Sequence, residues 1–148
     1  MMSINKKLLG LTTAGMLTAV LSGQALAHGD VTPQNVDVAG LTPLGEEWLE
    51  ENPYNADYEN RDLAVSIGTS AYTQNCARCH GLDAISGGIA PDLRYLEPGI
   101  EGDEWYSYRV QNGAVRDGRV YMPKMAEHLS QEALWAIRAY LETRPADE

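Results

Sequence analysis

The stretch Cys76-Ala77-Arg78-Cys79-His80 forms a C-x-x-C-H motif, and this pentapeptide decides the fold. Residues three positions apart share one face of a helical turn, so both thiols would lie on the same side. Two thiols at this spacing reach the two vinyl groups along one edge of a porphyrin, and the adjacent imidazole is then directed at the iron. The motif therefore predicts one haem c, attached covalently through Cys76 and Cys79, with His80 as the proximal iron ligand.

Three other interpretations of the motif compete with haem attachment, but none of them explains why histidine follows the second cysteine. A thioredoxin-like redox dithiol expects a preceding strand in a βαβ context, which the sequence does not indicate. A zinc site would need the adjacent Cys79 and His80 as two tetrahedral ligands, which is awkward. Such a site would also have to borrow His28 or His128. A disulfide between Cys76 and Cys79 would close almost no loop.

A second axial ligand is predicted in the segment 121–125, which reads YMPKM. A methionine thioether is an established ligand of haem iron. Met122 is the preferred candidate because Met122 and Met125 are the only methionines beyond residue 27, and both fall in this turn-rich segment. Pro123 stiffens the backbone beside Met122. Met125, His128 and an open sixth position remain alternatives, as does ordinary core packing of the methionines.

The segment 88–93, which reads GIAPDL, is expected to supply a hydrogen-bond acceptor for His80. The second ring nitrogen of His80 needs a hydrogen-bond acceptor, since its tautomer and ring plane are otherwise undefined. The carbonyl of Pro91 is the candidate acceptor because the proline ring fixes the local turn, and Leu93 is expected to pack on the haem. The alternative is an ordinary proline turn.

Helical periodicity is clearest at the two ends of the region around the motif. Asp62 is expected to cap a helix that runs to about Gln74, and Ser130 is expected to cap a helix that Pro145 stops. Gly68 would let these two helices approach closely. The sequence therefore predicts that these two helices cross next to the motif.

Between these helices the sequence predicts a short helix over 105–111 and a turn-rich loop over 112–124. Tyr72 and Tyr140 are expected to pack beside the helix crossing. No alternating strand pattern of useful length occurs. The predicted fold class is all-α.

The first 27 residues are interpreted as a secretory signal peptide. Two lysines precede an apolar stretch over 8–21, and residues 25–27 read ALA, a small-residue cleavage pattern. A transmembrane anchor is the alternative, but the apolar stretch is shorter than the roughly 20 residues that a membrane span needs. Cleavage after Ala27 predicts an exported, periplasmic protein without a membrane anchor.

The composition limits the function classes. A chain of 148 residues is expected to hold one domain. The formal net charge of -10, from 11 basic and 21 acidic residues, argues against nucleic-acid binding, because phosphate contacts need clustered cations. We expect a monomer.

The charge is unevenly distributed. Residues 28–60 carry eight acids and no Lys or Arg, and three prolines interrupt any long helix, so this part is expected to be an extended acidic arm preceding a haem domain at 61–148. A helical turn is expected only within 46–51. Residues 105–125 instead carry four basic residues and one acid. The two regions are hypothesised to face different partners; alternatively, the arginines pair with haem propionates and the acids only solvate the surface.

The residues 62–143 together resemble a class I c-type cytochrome. The landmarks that carry this resemblance occur in the family's order: Gly68 and Tyr72, Cys76 to His80, Pro91 and Leu93, Met122-Pro123, and Trp135 with Ala139-Tyr140-Leu141. The resemblance implies an all-α fold wrapped around one haem, with the N- and C-terminal helices crossing. It implies a one-electron carrier rather than an enzyme.

A narrower resemblance, to the PedF-type periplasmic cytochromes, rests on the stretches 28–34, 44–48, 75–82 and 86–94. It implies a periplasmic PQQ-dependent alcohol dehydrogenase as the electron donor. The implied acceptor is a cytochrome oxidase or another cytochrome.

Two functions of other classes are retained as alternatives. If no side chain fills the sixth position, the iron would suit a peroxidase-like enzyme or a gas sensor, with His128 the available distal base. His28, at the predicted mature N-terminus, would suit a copper-binding role.

Overall fold

The structure is a computed structural model in which residues 33–146 are described. The predicted signal peptide, its cleavage point at Ala27 and the copper candidate His28 lie outside the described residues. Within 33–146 the chain forms four α-helices, three short 3-10 helices and two strands. In chain order these are α1 (Arg61–Asn75), α2 (Ala77–His80), 3-10 helices Leu82–Ala84 and Leu93–Tyr95, α3 (Ile100–Asn112), β1 (Ala114–Arg116), β2 (Arg119–Met122), 3-10 helix Met125–Glu127 and α4 (Gln131–Leu141). The all-α prediction is confirmed apart from one small hairpin.

The crossing of α1 and α4 forms the centre of the fold. A Cβ built on Gly68 would lie 1.9 Å from the carbonyl oxygen of Ala136, so the two backbones touch at a point where no side chain fits. Tyr72 and Tyr140 pack beside this point, with ring centroids 5.1 Å apart. The predicted crossing and its tyrosine pair are confirmed.

The caps of these two helices compare differently with the sequence prediction. Ser130 caps α4 as predicted, because its hydroxyl accepts a hydrogen bond from the Ala133 N–H at 3.3 Å. The cap predicted at Asp62 is wrong. Helix α1 begins at Arg61 with Asn60 at the N-cap position, so Asp62 lies inside the first turn. There its negative charge stabilises the helix by interacting with the positive end of the helix dipole.

Helix α3 is longer than the predicted stretch 105–111, since it begins at Ile100. Its first turn carries Glu101 and Asp103, whose negative charges stabilise the positive end of the helix dipole. The extension is also held from outside, because Asp103 is buried and forms an ion pair with Arg138 of α4 at 2.6 Å. Sequence reasoning missed this long-range pair.

The loop predicted over 112–124 is wrong, because it contains the antiparallel hairpin of β1 and β2. The turn residues Asp117 and Gly118 have φ angles of +49° and +72°, which is the backbone that an Asp-Gly hairpin turn requires. The pairs Ala114 with Met122 and Val115 with Val120 leave Tyr121 as an extra residue in β2. Strands of three and four residues are too short to show a period-two pattern.

Residues 33–60, here called the N-terminal segment, contain no helix or strand, and the helical turn expected within 46–51 is not formed. The segment nevertheless lies in the same compact unit as the helices. Two of its backbone N–H groups donate to α4 side chains, Leu44 to Glu132 at 2.9 Å and Leu49 to Gln131 at 2.7 Å. These contacts tie the segment to the first turn of α4.

None of the helices in the described part of the chain is long and apolar enough to cross a membrane.

Candidate functional site

The C-x-x-C-H motif forms a helical turn that continues from α1. The N–H of Cys76 donates to the carbonyl of Tyr72 at 2.8 Å, and the N–H of His80 donates to the carbonyl of Cys76 at 3.0 Å. The turn is held from α1, since the hydroxyl of Tyr72 donates to the carbonyl of Gly81 at 2.7 Å. Cys76 and Cys79 thus lie one helical turn apart, the spacing on which the haem-attachment prediction rests.

The thiol of Cys76 is not set up as a redox nucleophile. Burial, and secondarily the neighbouring Cys79, raise the pKa of the Cys76 thiol to about 12. A thioredoxin-like dithiol needs a lowered pKa, because the thiolate is the reactive form. The motif also follows helix α1 rather than a strand. Both observations speak against the redox-dithiol interpretation.

The imidazole of His80 is oriented through one of its nitrogens. Nδ1 of His80 lies 2.8 Å from the carbonyl oxygen of Pro91, so the predicted hydrogen bond is present. A carbonyl only accepts, so Nδ1 is the donor, and in the neutral imidazole this leaves the lone pair on Nε2. That lone pair is the one that a metal ion would use.

Asp92, the residue that follows Pro91, is held by a hydrogen-bond network that sequence reasoning missed. The carboxylate of Asp92 accepts the N–H of Ser86 at 3.2 Å and the N–H of Arg94 at 3.0 Å. The guanidinium of Arg94 adds two contacts of 3.0 Å to the two carboxylate oxygens. These hydrogen bonds, with that from the Arg94 side chain the largest, lower the pKa of Asp92 to about 2. The only sequence signal for this network is the spacing of Asp92 and Arg94, which is indistinguishable from that of an ordinary surface charge pair.

Leu93 is buried in the core, at 8% exposure. Together with Pro91 it also lines a cavity of about 290 Å³ between the loop after the motif and the first turns of α3. Trp105 of α3 also lines this cavity. The residue expected to pack on a haem thus lies beside the carbonyl that orients His80.

The two candidate methionines have different surroundings. Met122 is half-buried at the end of β2, whereas Met125 is 5% exposed and packs in the core. The backbone of Met122 lies against the end of α3, because a Cβ on Gly113 (φ +66°) would approach the Met122 carbonyl oxygen to 2.4 Å. His128 is exposed at the surface. Packing therefore employs the Met125 side chain, while that of Met122 lies at the edge of the core.

Large apolar side chains are exposed in the segments next to the candidate ligands. After the motif these are Leu82, Ile85 and Ile89, and in the hairpin that ends at Met122 they are Val115, Val120 and Tyr121. Exposed large apolar side chains favour contact with a partner or ligand. Two thiols on one turn, an imidazole Nε2, a thioether and apolar side chains in the neighbouring segments are the groups that a haem requires. The residues present therefore fit this group.

A zinc site is not supported. Between residues 33 and 146, no group of three or more His, Cys, Asp and Glu side chains is arranged to hold a metal ion. Tetrahedral zinc requires such a group.

Two of the four basic side chains in the 105–125 region lie over aromatic rings. Arg109 lies 5.4 Å from the ring centre of Trp105 and 5.5 Å from that of Tyr108. Arg116 lies 5.7 Å from the ring centre of Tyr121. Cation–π contacts of this length hold the arginines against exposed rings.

Comparison with known proteins gives consistent matches. Residues 64–141 match the family described as cytochrome C oxidase, cbb3-type, subunit III. The chain is 65% identical over 147 residues to a cytochrome c550 of Pseudomonas aeruginosa, a match that covers 99% of this chain and 100% of the relative. No solved structure matches.

Two quinohemoprotein alcohol dehydrogenases of Pseudomonas putida also match. ADH-IIG is 33% identical over 97 residues, and ADH IIB is 32% identical over 84 residues. These matches cover 66% and 57% of this chain, but only 13% and 12% of the dehydrogenases.

The full-length match and the family match agree with the site built around the C-x-x-C-H turn. They make the protein an electron-transfer protein and not an enzyme. They also imply haem c as its cofactor. The chain belongs to the cytochrome c family.

Proposed function

We propose that the chain is a periplasmic, monomeric, mono-haem cytochrome that carries single electrons from a PQQ-dependent alcohol dehydrogenase to a cytochrome oxidase or another cytochrome. The observation that carries the proposal is the C-x-x-C-H turn whose histidine is oriented by the carbonyl of Pro91, at 2.8 Å. Export follows from the predicted signal peptide, cleaved after Ala27.

The proposed site has two thioether attachments and two axial ligands. Cys76 and Cys79 would attach the haem, and Nε2 of His80 and the thioether of Met122 would be the two iron ligands. Leu93 would contact the ring. When bound, the haem supplies an iron that takes up and releases one electron. Iron ligands supplied entirely by the protein would leave none for a substrate, which favours a carrier.

The donor is inferred from the alcohol dehydrogenase relatives. As quinohemoproteins, they combine a quinone and a haem in one chain, and about an eighth of that chain is similar to this cytochrome. A quinoprotein dehydrogenase that lacks such a segment needs a separate haem protein as its acceptor. We assign that role to this chain.

Reduction by such a dehydrogenase tests the function directly. Adding alcohol to the oxidised, haem-loaded protein with a catalytic amount of a PQQ-dependent alcohol dehydrogenase is expected to reduce the haem fully, as followed by its visible absorption. A nicotinamide-dependent alcohol dehydrogenase with the same alcohol is the control, and it should leave the haem oxidised. If the haem is reduced by dithionite but not by the PQQ enzyme, the proposed donor is wrong.

The axial ligand is tested by two matched variants. The oxidised protein should show the weak near-infrared band of methionine bound to Fe(III). Met122→Ala should abolish this band, because the ligand is removed, whereas Met125→Ala should keep it. Since Met125 is buried, Met125→Ala should instead lower the free energy of unfolding, by about 2–5 kcal/mol. Loss of the band in Met125→Ala alone would reassign the ligand.

A further inference from the structure

The loop that presents the Pro91 carbonyl to His80 is closed on itself. In this loop, residues 86–92, the hydroxyl of Ser86 donates to the carbonyl of Ala90 and accepts the N–H of Gly88 at 3.0 Å. The N–H of Ser86 donates to the carboxylate of Asp92 at 3.2 Å. Both ends of the loop therefore meet at Asp92, the residue that directly follows Pro91.

The carboxylate of Asp92 is in turn fixed by Arg94. The guanidinium makes a two-pronged contact, Nε to Oδ1 and Nη2 to Oδ2, each at 3.0 Å. The Arg94 side chain is 9% exposed and that of Asp92 is 20% exposed, so this is not a freely moving surface pair. A two-pronged contact fixes the plane of the carboxylate as well as its position. The loop is thus anchored to one oriented group.

We propose that Asp92 and Arg94 are positioning residues that hold the Pro91 carbonyl against Nδ1 of His80 and so tune the iron ligand. The inference rests on the proposed function, in which Nε2 of His80 binds the haem iron. A hydrogen bond from Nδ1 raises the basicity of the imidazole. A more basic ligand favours Fe(III). Loosening the pair therefore raises the reduction potential.

Charge and positioning give opposite expectations for the Arg94 variant and different ones for the double variant, which makes the two roles distinguishable. If the two residues acted only through their charges, Asp92→Asn would raise the potential, Arg94→Gln would lower it, and the double variant would match the wild type. If they act by positioning, both single variants raise the potential. The double variant then shifts it no further than the larger single variant, because the two residues act as one unit.

The experiment compares the three variants with the wild type in the haem-loaded protein, by potentiometry and by NMR exchange of the His80 Nδ1 proton. All three should raise the reduction potential. They should also speed the exchange of the His80 Nδ1 proton by at least about fivefold, the effect of losing one hydrogen bond. Asp117→Asn and Arg119→Gln in the hairpin are charge-matched controls outside the loop; they should leave the exchange unchanged. If Asp92→Asn does not fold, Arg94→Gln still decides, since it keeps both backbone contacts of Asp92.

Shifts of opposite sign in the single variants, or unchanged proton exchange, would overturn the positioning role. A wild-type protein without haem, or without a histidine-ligated spectrum, would overturn the proposed function and this inference with it. A wild-type protein with that spectrum, combined with variants of unchanged exchange, would overturn the positioning role alone.

Discussion

Replacing Arg138 with methionine is expected to lower the free energy of unfolding by about 3–5 kcal/mol. Arg138 is 2% exposed, and its Nε lies 2.6 Å from the carboxylate of Asp103, which is 4% exposed. Methionine would fill much of the volume but leave the carboxylate buried without its cation. An uncompensated buried charge is far more costly than a missing surface pair. Denaturant-induced unfolding of the haem-loaded protein measures the difference.

Arg144→Met is the matched control for this prediction. Arg144 also pairs with a carboxylate, that of Asp83 at 3.4 Å, but the two side chains are 31% and 69% exposed. Its loss should cost no more than about 1 kcal/mol. The double variant Arg138→Met with Asp103→Leu should recover part of the lost stability, because neither charge is then left buried. A loss below about 1 kcal/mol in Arg138→Met would mean that the pair is not a determinant of stability.

The importance of Arg138 lies in the parts of the chain that it joins. Its Nη2 donates to the carbonyl of Glu97 at 2.9 Å, ahead of α3. The other oxygen of its partner Asp103 accepts the N–H of Asn52 at 2.8 Å, from the N-terminal segment. One ion pair of α3 and α4 thus also fastens the N-terminal segment, so the acidic residues 33–60 are a structural part of the domain.

The parts of the fold that the sequence predicted are those decided by local spacing. The C-x-x-C-H turn spans five residues, and the cap at Ser130 needs only its own first turn. The role of Gly68 could also be predicted, because a glycine within a helical pattern of apolar residues indicates the close approach of a second helix. The hydrogen bond from His80 to Pro91 spans 11 positions, but the proline restricts the backbone enough to suggest it.

The parts that could not be predicted depend on contacts between distant residues. Asp103 and Arg138 are 35 positions apart, and each alone resembles a solvated surface charge. The Asp103 carboxylate also accepts the N–H of Asn52, 51 positions away, and no local pattern reveals that contact. The hairpin was not predicted because it depends on the pairing of two short strands, with one irregular residue. Neither strand alone reveals that pairing.

Substituting Gly68 by alanine is expected to destabilise the protein by about 2–4 kcal/mol, although alanine is the better helix former. The new Cβ would lie 1.9 Å from the carbonyl oxygen of Ala136 and 2.5 Å from its carbonyl carbon. Both atoms belong to the backbone of the buried helix α4, so no side-chain rotation relieves the overlap. The two helices must move apart, and the packing of Tyr72 on Tyr140 loosens with them.

The same displacement should reach the haem site, which distinguishes this variant from an ordinary core substitution. Tyr72 holds the motif through its hydroxyl contact with Gly81 at 2.7 Å, and its carbonyl accepts the N–H of Cys76 at 2.8 Å. We therefore expect Gly68→Ala to reduce both the midpoint of chemical unfolding and the yield of protein with attached haem. Ser66→Ala puts the same residue on the exposed face of α1 and should change stability by no more than about 0.5 kcal/mol. Equal unfolding midpoints for the two variants would show that the helices tolerate a side chain at position 68, and that their contact is not what supports the C-x-x-C-H turn.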